Sequence, residues 1–173
     1  MPNGIFEKTK DAVVNVVKGA GDIVNSVRST VTEIVVSTLK EAGEITGTAL
    51  GVVSDAVRGA LRGTREAGGE ATESAKAIVG GAVEAVVQVG GDVVTGAKNA
   101  VRGAVQGAAE IGGDVAGAAV SAVEGAVETA GKLGKNVGEV AADAVGAVKK
   151  GLTAAASLPK DVISSVIGKG EDQ

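Results

Sequence analysis

The stretch GGDVVTGAKNAVRGAVQGAAEI (90–111), GGDVAGAAVSAVEGAVETAGKL (112–133) and GKNVGEVAADAVGAVKKGLTAA (134–155) decides the fold, because it is one 22-residue unit written three times. Each copy divides again into two elevens, and 11 residues is close to three turns of an α-helix. A repeat this regular turns the same kind of side chain to the same side every third turn. What it encodes is a surface.

Working outward, the eleven-residue register runs from Val13 to Ala155 without insertion or deletion, which makes thirteen units. Four columns of that register stay small or apolar almost throughout. The first carries Val13, Val24, Val35, Val57, Val79, Val101, Val123 and Val145, with Thr46, Gly68, Gly90, Gly112 and Gly134 in the remaining places. The fourth is valine at Val16, Val27, Val93, Val115, Val137 and Val148, and mostly alanine elsewhere. Val31, Val53, Val86 and Leu152 are the bulkier members of the eighth column. Ile23, Ile34, Ile45, Ile78, Val89, Ile111 and Leu133 are those of the eleventh.

On a helix these columns fall on one side, with a fifth column (Val17, Leu39, Leu50, Leu61, Val83, Val94, Val105, Val127) on the edge. Together they form an apolar stripe of about 130°, broader than a coiled-coil seam. Asp22, Glu33, Glu44, Asp55, Glu66, Glu110 and Asp143 lie opposite. A strand would need period two, and the pattern repeats every ~3.67 residues instead. The sequence therefore predicts an all-α protein, a long amphipathic helix or helical hairpins built from 11- and 22-residue repeats. It predicts no globular core of its own. The chain divides into a leader (1–12), the thirteen repeats (13–155), and a proline-interrupted short helix with a polar tail (156–173).

Composition supports that division. The 173 residues include 28 Gly, no Cys, His, Trp or Tyr, and Phe6 as the one aromatic residue. The hydrophobic fraction is mostly Ala and Val, which bury little area each, so a conventional core would be thin. As one continuous straight helix the repeats would reach roughly 215 Å. Glycine costs a helix up to ~1 kcal/mol relative to alanine, so a lone helix of this composition should fray. Its order must come from contact, either slight unwinding on a flat surface or a right-handed supercoil among helices.

The glycines recur four residues apart at Gly43, Gly47 and Gly51, and in the pairs Gly59/Gly63, Gly103/Gly107, Gly113/Gly117 and Gly134/Gly138. That spacing lets helix backbones approach closely; drift within a low-complexity repeat would also produce it. The Gly-Gly pairs at 68/69, 80/81, 90/91 and 112/113 are the places for turns if the chain folds back. Ile5 and Phe6 read either as an inserting anchor or as a hydrophobic staple at a helix start. Pro159 interrupts the register, with 160–167 able to form a short terminal helix.

Chemistry is absent from the pattern. Without His or Cys there is no imidazole base, thiolate or ordinary zinc site. Ser54 and Ser121 have no base, no phosphate-binding loop occurs, and the carboxylates read as a solvated face. The expectation is a non-enzyme with no cofactor, no metal and no small-molecule substrate. A net charge of −4 with interspersed signs, and almost no aromatics, argue against nucleic acid. The start of the chain is too charged for a secretory leader. The longest charge-free run, Ile45 to Ser54, is about half of a membrane span. The expected location is cytoplasmic, peripheral to a membrane, lipid or granule surface.

Eleven-residue amphipathic repeats of this kind resemble synucleins, exchangeable apolipoproteins and perilipin-type lipid-droplet proteins, and more distantly group 3 late-embryogenesis proteins. The likeness rests on segments such as Gly90–Gly96 (GGDVVTG) and Glu128–Lys132 (ETAGK). It implies a helix that forms when its stripe enters a lipid or granule surface, with self-association into a homo-oligomer. A second reading is a purely structural self-assembler, with Gly/Ala-faced helices packed into a bundle, filament or coat. A desiccation protectant is the third, although this chain, with a mean hydropathy of +0.28, is less hydrophilic than such proteins.

Overall fold

Glycines that enter the left-handed region divide the repeat into separate helices. In the computed structural model, which describes residues 2–19 and 21–154, Gly68, Gly90, Gly112 and Gly134 have φ of +86°, +77°, +66° and +67°. A side chain is strained in that conformation and glycine is not. At each the chain closes a Schellman turn. The Gly90 N–H donates to Val87 O at 3.0 Å and Gly91 N–H to Val86 O at 2.9 Å; Gly112/Gly113 and Gly134/Lys135 repeat the pair of bonds. The next helix starts within three residues. Asp92, Asp114 and Asn136 each accept a bond from the backbone N–H three residues on, satisfying a donor that the first turn leaves open.

Seven helices result among the described residues: α1 (Pro2–Gly19), α2 (Ile23–Ala42), α3 (Gly51–Glu66), α4 (Ala71–Gln88), α5 (Val93–Glu110), α6 (Val115–Lys132) and α7 (Val137–Ala154). From α4 onward the starts are 22 residues apart. The 22-residue unit is thus one helix and its turn. The early helices depart from this spacing for a local reason. Thr46 stands where the register would place a turn glycine, and α2 closes instead at Gly43, with φ +80°. Residues 43–50 then form a longer connection than the later turns.

Each helix packs most extensively on the helix two places along the chain, and less on its immediate neighbour. This makes two layers, α1–α3–α5–α7 and α2–α4–α6, stacked as a helical repeat in which every unit buries its stripe on the next. Val57, Val79 and Val101, three successive first-column valines of α3, α4 and α5, are fully buried between the layers. Leu39, Leu50, Leu61 and Ile78 supply the largest side chains of that interior.

The expectation of a long helix without its own core is corrected by this arrangement. The stripe does meet a companion, and the companion is the rest of the same chain. Small side chains make a thin core only when they gather round a centre. Stacked in two layers, alanine and valine let the helices approach, and one continuous apolar cluster runs from Val13 to Leu152.

Candidate functional site

Close helix crossings are where the glycines of this chain act. Gly59, Gly81, Gly103 and Gly125 recur at 22 residues, near the middle of α3, α4, α5 and α6. Each faces backbone of the helix two places earlier. A Cβ on Gly103 would lie 2.5 Å from the Ser54 carbonyl oxygen, and one on Gly81 2.7 Å from that of Arg28. Gly59 meets the Phe6 carbonyl, and Gly125 that of Lys76, more tightly still. Gly63 (against Lys10 and Val13) and Gly107 (against Arg58 and Leu61) complete the α1–α3 and α3–α5 crossings.

The four-residue spacing identified Gly59, Gly63, Gly103 and Gly107 but is not the governing rule. Gly43 and Gly134 end helices with positive φ, and no atom lies near a Cβ on either of them, or on Gly47 or Gly51. Gly113 and Gly138 have only their own turn nearby. Gly117 abuts its own capping residue, Asp114, with the Thr72 methyl 3.0 Å from a Cβ. The Gly80–Gly81 pair, expected as a bend, lies inside the unbroken α4 and forms a crossing. Gly81 and Gly125 were missed because their signal is recurrence at 22, not at four.

Of the predicted stripe, Val13, Val27, Val31, Val35, Val53, Val57, Ile78, Val79, Val86, Val101, Val148 and Leu152 are buried to 3 % exposure or less, and Ile34 is nearly so. Val16, Val89, Val93, Ile111, Val115, Val123, Val137 and Val145 are half-buried. Val24 and Leu133, 45 % and 37 % exposed, lie at helix ends. Ile5 and Phe6 fall within α1, with the Arg58 guanidinium 5.5 Å from the Phe6 ring centroid. Pro159 and the short helix expected over 160–167 lie outside the described residues.

Ion pairs tie each layer along its surface. Arg28 pairs with Glu84 (2.9 Å), Arg58 with Glu110 (2.6 Å) and Lys76 with Glu128 (2.6 Å), each bridging helices two apart. Glu128 also accepts from Lys132 at 2.7 Å. The two ammonium groups pull its carboxyl down to about 2. A shallow cleft of about 190 Å³ opens among α2, α4 and α6, lined by Asn25, Arg28, Glu73, Lys76, Glu128 and Thr129 among others. Of the charges that line it, Arg28 pairs with Glu84 and Lys76 with Glu128. Among the described residues, no group of three or more carboxylates is placed to hold a metal ion, and no helix is long and apolar enough to cross a membrane.

No family model and no curated protein matches the chain. Among solved structures, the chain is similar to the crystal structure of a de novo designed helical repeat protein, DHR7. The TM-score is 0.54 at 19 % identity, and the match covers 98 % of this chain and 92 % of that one. What the two share is the fold, an all-helical repeat.

Proposed function

We propose that this chain is a non-enzymatic structural protein, a self-associating stack of helical repeats that works through its surfaces. One observation carries the reading. The repeat register goes into packing one helix on the next, and the crossings and ion pairs recur with it. Repeat stacks of this type offer extended faces and two ends, and those are their means of meeting partners. The self-assembler reading gains from this geometry over the lipid-coating one. A lipid surface would have to displace neighbouring helices to reach the buried valines of α3, α4 and α5. Sedimentation equilibrium in plain buffer, paired with vesicle flotation, tests the reading. Helical oligomers that stay with the soluble fraction are expected; a monomer, or a chain that gains most of its helix on vesicles, would overturn it.

A further inference from the structure

Among the described residues, α6 carries an apolar row on which no helix is seated. The side of α6 turned away from α4 presents Ala116, Val120, Val123 and Val127, all half-buried. The same row on α4 is Thr72, Lys76, Val79 and Val83, and on α5 it is Val94, Lys98, Val101 and Val105. Those two rows seat the helices two places on. A Cβ on Gly117 of α6 would lie 3.0 Å from the Thr72 methyl, and one on Gly151 of α7 2.8 Å from Val105 Cγ1. Val79, Val83, Val101 and Val105 are accordingly buried, to 1 % exposure or less. The helix that would cover α6 in the same way is the eighth of the stack.

We propose that residues 159–167 form this helix, α8, seated on the α6 row beside α7, and that it closes the stack. The register carries the assignment. Val93, Val115 and Val137 open α5, α6 and α7 at intervals of 22 residues, and the next place in the series is Pro159. Proline suits the first position of a helix, where its missing N–H leaves no bond unmade. It also holds the residue before it extended, the conformation of the cap residues Asp92 and Asp114. Ala156 stands where the turn glycines stand, so the break falls to Leu158–Pro159 instead. Val162, Ile163, Val166 and Ile167 then take the places of Ser74, Ala75, Ile78 and Val79 in α4, and of Gly96, Ala97, Ala100 and Val101 in α5. Every one of those earlier residues is buried. The row that α8 would offer to a further helix reads Lys160, Ser164, Ile167 and Glu171, mostly polar, which is the character of a terminal cap. A second copy is the poorer occupant. It must displace a segment tethered through residues 155–158, a link as short as the 133–136 connection between α6 and α7. Such a tether holds its segment at an effective concentration on the order of millimolar. The cap is independent of self-association, which keeps the long faces of both layers.

The chain contains no cysteine, so introduced thiols report the row directly. In the full-length protein, V120C should react with a thiol reagent about tenfold or more slowly than the exposed N15C, equally at every protein concentration. Adding I163D/V166D to V120C should bring its rate up to that of N15C. The double variant A116C/D161C places thiols at the counterparts of Thr72 and Gly117. A disulfide needs Cα atoms within about 7 Å, so this pair should oxidise within one chain, read as an intact monomer that has lost two hydrogens. A V120C thiol that reacts as fast as N15C, or whose rate I163D/V166D leaves unchanged, overturns the cap. Protection that fades on dilution, with V120C chains cross-linked to each other on oxidation, assigns the row to a second copy and overturns the cap as well.

Discussion

Gly103 and Gly146 occupy neighbouring helices of one layer, and a methyl group would have opposite effects at the two. At Gly103 it meets the Ser54 carbonyl oxygen at 2.5 Å and the Ser54 Cα at 2.9 Å. That is backbone, so α3 and α5 must separate. Gly103→Ala should lower the unfolding free energy by about 1–3 kcal/mol, the range for overpacking. At Gly146 nothing lies within 4 Å, and Gly146→Ala should raise it by up to ~1 kcal/mol through helix propensity. Denaturant titration of the two variants side by side checks both. A spacing of four flags Gly103 but equally flags Gly134 and Gly138, where a Cβ would meet no other helix, so that spacing alone could not single out the crossings. Position in the 22-residue unit does, since Gly103 belongs to the recurring column of Gly59, Gly81 and Gly125, in which α7 has Ala147.

Where α3, α4, α5 and α6 stop was also written in the chain, in the first column of the register. From Val57 to Val145 that column alternates valine and glycine without exception, and its glycines are four of the five glycines with positive φ. Averaged over eleven residues the alternation vanishes, which is why the pattern looks like one long helix. Read over twenty-two, it is a helix and a turn. The caps distinguish the turns further. Asp92 accepts bonds from the Thr95 N–H and hydroxyl, whereas Glu70, at the equivalent place before α4, makes no side-chain cap. Asp92→Ala should cost about 1 kcal/mol, and Glu70→Asp should gain a few tenths to ~1 kcal/mol; thermal unfolding reads both. Between elements, Glu128 gives the α4–α6 contact a pH dependence. Its folded pKa, about 2, lies below the ordinary 4.5. The stabilisation is therefore complete above pH ~4.5 and is lost as pH falls towards 2. Salt screens an exposed cluster of this kind, so its share is small. Glu128→Gln should flatten the stability profile over that window, seen in acid titrations of the two proteins.

For the whole molecule, the helical content and the amphipathic stripe were legible in the columns of valine and alanine. Connectivity was not. Nothing in a stripe such as Val13–Val16–Val24–Val27 says whether its companion is a lipid, another chain or the next helix, because all three offer apolar surface of similar value. Only the turns decide, by returning the chain every 22 residues and making the intramolecular partner by far the nearest. In such a stack, stability is a sum over neighbouring units, with the middle helices best protected.

The most direct measurement is native-state hydrogen exchange on the dilute full-length protein in buffer, with no lipid present. Backbone amides of α3, α4 and α5 should be protected together, more strongly than those of α1 and α7, and adding vesicles should change neither the set nor its order. Amides that exchange at unfolded-chain rates in buffer and become protected only on vesicles would contradict a chain that buries its own stripe.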